Sequence, residues 1–161
     1  MTAAQTKRRA ILAFMLDRSG VLNKVFMLIR RKMINVDTIT ACATQQPGIS
    51  RITLTLREDS EDKALQLIKQ MEKLTEVISA KELDVDQSFW REVAIVKFEA
   101  GSGHLERLGQ SYNFEILDRQ NHEVIVAQVA GTSLMIDNFM AEVGPDKIIE
   151  VARSGFTAME K

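Results

Sequence analysis

Six apolar residues, Ile11 to Leu16, run straight into Asp17-Arg18-Ser19-Gly20, and a helical pattern begins at Val21. These residue types in this order suit the capture of a small anion. Ser19 offers a hydroxyl to the first free N–H groups of the helix. Gly20 has no Cβ, so a carboxylate or another backbone can come close. The helix start carries N–H donors without intrahelical partners and the positive end of the dipole. The N–H groups around Gly20, Val21 and Leu22 are the donors for a carboxylate. Asp17 is a partner for an ammonium group. So is the side-chain oxygen of Asn35, which opens Asn35-Val36-Asp37 at the head of the next strand. The turn reads as a receptor for a small amino acid, or, in the plainer reading, as a capped strand-to-helix turn and nothing more.

The chemistry absent from the rest of the chain favours a sensor over an enzyme. His104 and His122 are the only histidines, and they read as solvated turn residues. Cys42 is the only cysteine, which excludes an internal disulfide and a thiolate metal site and suits a reducing cytoplasm. Gly101-Ser102-Gly103 lacks the lysine and the spacing of a phosphate loop. Ser133 has no base near it in sequence and reads as a helix cap. Arg30-Arg31-Lys32 closes a helix, where cations suit the dipole, and has no interleaved aromatics to stack bases. A formal net charge of −1 gives no field that favours nucleic acid. No apolar run approaches the roughly 18 residues that span a bilayer. Met1 to Arg9 reads as a polar, frayed tail without the apolar core of a signal peptide.

Hydrophobic residues make up 45% and charged residues 27% of the 161, an ordinary globular balance. The patterning resolves into two halves of similar order. In the first, strands are expected over Ile11–Leu16, Asn35–Ala43, Ser50–Arg57 and Val77–Glu82. One helix follows Gly20, with Val21, Leu22, Val25, Phe26, Ile29 and Met33 as its apolar stripe. A second follows Glu58-Asp59-Ser60, with Ala64, Leu67, Ile68, Met71 and Leu74 inward. Ser50 to Arg57 alternates cleanly, the mark of a half-buried antiparallel strand. The order is βαββαβ. After the polar connection at residues 84–88 the order repeats. Strands are expected at Phe89–Ala100, Phe114–Arg119, Val124–Ala130 and Lys147–Arg153, with helices at His104–Ser111 and after Gly131-Thr132-Ser133. The fold expected is α+β: two ferredoxin-like α/β sandwiches, residues 8–83 and 89–161, joined by a linker at 84–88. Each is small and leaves sheet edges, so a homodimer is expected.

At this point the residues resemble a known family. Ser19-Gly20-Val21-Leu22, followed by Asn35-Val36-Asp37-Thr38-Ile39-Thr40, looks like an ACT domain, a βαββαβ module that binds amino acids in pairs of subunits. Ser50-Arg51-Ile52-Thr53, Trp90-Arg91-Glu92-Val93, Val129-Ala130-Gly131-Thr132-Ser133 and Ile149-Glu150-Val151-Ala152-Arg153-Ser154-Gly155 stand in the order and spacing of the small, regulatory subunit of acetolactate synthase. The resemblance covers Arg9 to about Phe156. It implies a subunit with no activity of its own that docks on a large catalytic subunit and raises its activity. Thiamine diphosphate, magnesium and FAD then belong to that partner, which condenses two pyruvates, or pyruvate with 2-oxobutyrate, in branched-chain amino-acid synthesis. It also implies feedback inhibition by valine held between ACT domains, with contacts at Gly20 and Asn35. Cys42 stands where the family usually has alanine. The chain departs from the pattern at Asp17, usually Asn, at Leu16, usually acidic, and at Met33, usually Gly. The other reading is a stand-alone ACT module regulating another enzyme or a transcription factor.

Overall fold

The computed structural model describes residues 8–57, 60–84, 86–120 and 123–161. Its first strand, β1 (Arg8–Leu16), leads through the turn into α1 (Val21–Arg31), then β2 (Asn35–Ala43), β3 (Ile49–Arg57), α2 (Glu61–Met71) and β4 (Val77–Glu82). The second series is β5 (Ser88–Glu99), α3 (Ser102–Ser111), β6 (Phe114–Gln120), β7 (Val124–Gly131), α4 (Ser133–Val143) and β8 (Ile148–Arg153), with a short β9 (Thr157–Glu160). The strands form two sheets ordered β2-β3-β1-β4 and β6-β7-β5-β8, antiparallel throughout these orders. The βαββαβ order therefore occurs twice, as the patterning predicts. The chain divides into two compact units, one running through Phe89 and taking in Phe156–Lys161, the other Trp90–Gly155.

In the first unit β1 and β3 are the inner strands, β1 paired with β3 over its whole length and with β4 on its other side. Ile11, Ala13 and Met15 alternate inward and meet Ile52, Leu54 and Leu56 of β3. Val21, Val25 and Ile29 of α1, and Leu67, Ile68 and Met71 of α2, close this core. Ser60 caps α2 by accepting from the Lys63 N–H, with Glu61 and Asp62 in the first turn where the dipole favours them. Glu58 and Asp59, expected to help open that helix, lie outside the described residues, as do Val85 of the expected linker and Asn121 and His122 of the expected turn.

Four sequence expectations shift. The strand starts at Arg8, not Ile11, and Arg9 is buried beside Glu82 at 2.7 Å rather than part of a frayed tail. Thr53 and Thr55 are buried along with the apolar face of β3, and Thr55 meets the Thr38 hydroxyl across the strands at 2.6 Å. The core stripe of α1 is narrower than its apolar content: Val21, Val25 and Ile29 are buried and Leu28 packs partly buried beside them. Leu22 and Phe26, about 100° round the helix, are each 37% exposed. Residues 157–160 form the extra strand β9, paired with β5, and hold to the first unit: the Arg51 guanidinium donates to the Ala158 carbonyl and Lys81 pairs with Glu160.

In the second unit Phe139 of α4 is the hub, edge-on to Phe98 at 6.1 Å and to Tyr112 at 5.5 Å, with Phe114 tilted at 5.4 Å. Ala94, Val96, Ile125, Ala127 and Val129 supply the sheet side of this core. Thr132 caps α4 through the Met135 N–H, so Ser133, expected as part of the cap, is the first helical residue instead. Gly144, at φ +97°, ends the helix as expected of Gly-Pro.

Met33 is the single non-glycine residue with positive φ among those described, at +54°, and it is 86% exposed. It stands just past the end of α1, where the chain must enter a left-handed conformation to turn into β2. A Cβ in that region costs about 1–2 kcal/mol, and the exposed Met side chain returns little burial in exchange. Met33→Gly is therefore expected to raise the unfolding free energy by about 1 kcal/mol once glycine's greater unfolded-state entropy is counted, and the urea midpoint with it. A lower midpoint would show that the side chain has a contact worth more than the backbone strain.

Candidate functional site

The turn after β1 is fixed from two sides. The Asp17 N–H donates to the Gly48 carbonyl at 2.8 Å, which ties it to the β2–β3 hairpin turn. The Arg18 N–H folds back on the Leu16 carbonyl at 3.0 Å, and the Val21 N–H donates to the Arg18 carbonyl at 3.3 Å. Gly20 follows at φ +85°, a left-handed conformation that a side chain would strain. Its carbonyl receives the Lys24 N–H at 3.1 Å, so Gly20 is the N-cap and no side chain caps α1. This corrects the expectation for Ser19. A capping hydroxyl belongs on the residue whose carbonyl opens the helix, and Ser19 comes one position too early.

Beside this turn lies a cavity of about 300 Å³. That is the low end of the roughly 300–1,000 Å³ usual for small-molecule sites. Met15, Leu16, Val21 and Leu22 form its apolar wall on the β1–α1 side, and Ala41, Cys42 and Ala43 line it from the end of β2. Ser50 adds a hydroxyl, and Asp17 and Arg18 are the charged residues of the lining. Ala41, Cys42 and Ala43 are all exposed, and β2 is an edge strand, so the cavity opens at the edge of the sheet.

Of the residues singled out from sequence, Asp17, Val21, Leu22 and Cys42 line this cavity, and Ser19 and Gly20 form the bend next to it. Asn35 does not reach it within one chain. Asn35 pairs with Arg57, whereas Cys42 pairs with Arg51. Six residue steps of strand therefore separate Asn35 from Ala41, where the cavity begins, about 20 Å. Asp37, at the same end of β2, is paired with Arg57 at 2.6 Å. Met15, Leu16, Arg18, Ala41, Ala43 and Ser50 were missed. Ser50 could not be found without the hairpin register that sets it opposite Ala43 and Met15. Arg18 was in plain view inside the turn.

A second cluster gathers motif residues of the second unit. Arg153 at the end of β8 donates from Nη1 to Asp137 of α4 at 2.6 Å. It also grips Glu92 of β5 with Nη2 and with Nε, the latter at 3.2 Å. The Glu92 side chain is 2% exposed. Its hydrogen bond is the main influence holding Arg153 above the usual guanidinium range; burial opposes it and Asp137 adds to it. Ser154 continues the clasp, its N–H donating to the Val93 carbonyl at 2.9 Å and its Oγ accepting from the Val93 N–H at 3.0 Å. With its fork spent on two carboxylates, Arg153 is a structural clamp between sheet and helix. His104 is likewise part of the packing rather than a solvated turn residue. It is half-buried, with Nε2 3.3 Å from the Glu142 carbonyl.

Residues 11–79 match the family model described as an AHAS small subunit-like ACT domain, and residues 91–161 match that of the small subunit of acetolactate synthase. The class of protein is thus a regulatory chain built on an ACT domain. The acetolactate synthase small subunit of Bacillus subtilis is 31% identical over 96% of this chain and 91% of its own length. The small subunit of acetolactate synthase isozyme 3 of Escherichia coli is 31% identical over 96% of both chains. The crystal structure of the acetolactate synthase small subunit from Thermotoga maritima shares the fold with a TM-score of 0.87, at 23% identity, over 96% of this chain and 98% of that one. The chain belongs to the acetolactate synthase small-subunit family. It is a non-catalytic, regulatory subunit of that enzyme, and its partner is the catalytic large subunit. The stand-alone ACT regulator falls away, because the matches run through both halves of the chain. No helix among the described residues is long and apolar enough to cross a membrane.

Arg153→Ala leaves the Glu92 carboxylate buried without its partner, and is expected to cost about 3–5 kcal/mol in equilibrium unfolding by urea. Arg153→Lys keeps the charge but not the two-pronged grip, and recovers only part of that. A loss below about 1 kcal/mol for Arg153→Ala would refute the clamp.

Proposed function

We propose that this subunit raises the carboligation activity of its large subunit, and that the cavity at the β1–α1 turn binds a branched-chain amino acid, valine first, as the feedback signal. Thiamine diphosphate, magnesium and FAD are held by the large subunit, in the cytoplasm, where the exposed, unpaired Cys42 stays reduced. The observation that carries the reading is the cavity itself, an apolar wall with one acid and one base at its mouth, open at an edge strand.

That opening also supports a homodimer. Two β2 edges pairing antiparallel about a twofold near Ile39 set Asn35 of one copy beside Ala43 and Cys42 of the other. Asn35 then completes the cavity of a second copy, which accounts for its distance from the cavity of its own. The ligand carboxylate faces the start of α1, where the dipole favours a negative charge by about 0.3–1 kcal/mol. Its ammonium faces Asp17 and the Asn35 oxygen of the second copy. Its branched side chain lies against Val21, Leu22 and Cys42. One methylene in such a pocket is worth about 1–3 kcal/mol, so valine, leucine and isoleucine are separated modestly.

Mixed with the cognate large subunit, the chain is expected to raise acetolactate formation and to show no turnover alone; an unchanged rate at saturation would refute the activating role. By calorimetry, Gly20→Asp is expected to abolish valine binding. Among the described residues no atom beyond the chain neighbours lies within 4 Å of the place a Gly20 Cβ would take, but the left-handed backbone at φ +85° strains any side chain, so the substitution both bends the turn and sets a second negative charge beside the ligand carboxylate. Asn35→Ala should weaken binding by about 1–3 kcal/mol. Light scattering should give a dimer or a larger assembly, and a stable monomer at micromolar concentration would remove the shared site.

A further inference from the structure

The charged residues of the cavity allow a sharper statement, which rests on the reading of it as an amino-acid site. The bend at Ser19 and Gly20, whose N–H groups the sequence offers to a carboxylate, does not line the cavity. Of the two helix-start residues that do, Val21 already spends its N–H on the Arg18 carbonyl. The backbone alone is therefore a poor receptor. Among the described residues, Arg18 is the one cation of the lining and Asp17 the one acid. The nearby cations are committed elsewhere: Lys24 to Glu76 at 2.5 Å, and Arg51 to the Ala158 carbonyl. Arg18 is exposed, and no hydrogen bond or ion pair engages its guanidinium among the described residues.

We propose that Arg18 anchors the ligand carboxylate, and that the adjacent Asp17–Arg18 pair makes the site select the zwitterion of an apolar amino acid over the 2-oxo acid of the same carbon skeleton. Guanidinium is planar and meets a carboxylate with two parallel N–H donors. One cation and one acid balance one carboxylate and one ammonium. A 2-oxo acid satisfies Arg18 but leaves Asp17 without its ammonium and close to a second anion. A dicarboxylic amino acid has one carboxylate too many, and the remaining wall of Met15, Leu16, Val21 and Leu22 cannot pair with it. The selection matters for this enzyme in particular. Its substrates are 2-oxo acids, and a feedback site that accepted them would report supply instead of product.

The test is calorimetry on the full chain with three probes: valine, 3-methyl-2-oxobutanoate, which lacks the ammonium, and valinamide, which lacks the carboxylate. The wild type should bind valine at least tenfold more tightly than either analogue. Arg18→Gln should weaken valine tenfold or more and change valinamide less than twofold. Asp17→Asn should weaken valine and valinamide together and narrow the gap between valine and the oxo acid. Wild-type affinity for valine in Arg18→Gln, or an equal loss of valine and valinamide, would overturn the anchor while leaving the amino-acid site standing. Failure of the wild type to bind valine, leucine or isoleucine would overturn the site and the anchor with it.

Discussion

The unbroken antiparallel pairing of β1 with β3 is the constraint on which the first unit depends. Nine residues of β1 find partners in β3, from Arg8 opposite Arg57 to Leu16 opposite Ile49. That register does two things at once. It lines up Ile11, Ala13 and Met15 with the apolar face of β3, and a slip of one residue would turn the whole set to the other face. It also brings the end of β1 level with the hairpin turn, so that the Asp17 N–H finds the Gly48 carbonyl. The cavity is a by-product of this alignment. Its walls come from β1, α1, β2 and β3, and they meet only because the strands stop at the same level.

The second unit relies on a different device for a similar end. Its sheet presents Ala94, Val96 and Phe98 to α4, and Phe139 fills the space between them with aromatic contacts. At the rim, where apolar packing thins out, the Glu92–Arg153–Asp137 clamp takes over. A nearly fully buried carboxylate is costly unless its hydrogen bonds are met, and here a two-pronged guanidinium meets them. The residues of the family motifs in this half thus hold β5, β8 and α4 in place.

Much of the fold was legible because period and punctuation agree along the chain. Ile52, Leu54 and Leu56 alternate, Gln45 to Gly48 breaks the chain where the hairpin turns, and Ser60 and Thr132 stand where caps belong. What sequence could not tell was which apolar residues win the interior. Leu22 and Phe26 fit the helical stripe as well as Val25 does, and only the placing of α1 on the sheet leaves them outside. Residues 157–160 are too few to show a strand period, so β9 was invisible. At the cavity, Asp17, Val21 and Leu22 are neighbours that one turn makes legible, whereas Ser19 and Gly20 stand in the bend beside it. Asn35 was misplaced within the chain because proximity in sequence says nothing about which end of a nine-residue strand faces the turn. Arg18 stands in the same run of residues, but which backbone donors of the turn remain unspent depends on hydrogen bonds no sequence displays.

The grouping of Phe156–Lys161 with the first unit has a consequence for how the molecule is made. A chain leaves the ribosome from its N-terminus, and domains generally fold in that order. Here the strands from β1 to β4 can pair once residue 82 has emerged, yet Arg51 and Lys81 still lack the Ala158 carbonyl and Glu160. Those arrive only after all of the second unit has been synthesised. A product cut short after Gly155 would hold both complete helix-and-sheet cores and still leave these two cations without their partners. The outer surface of the first sheet therefore carries a record of whether translation has passed Glu160.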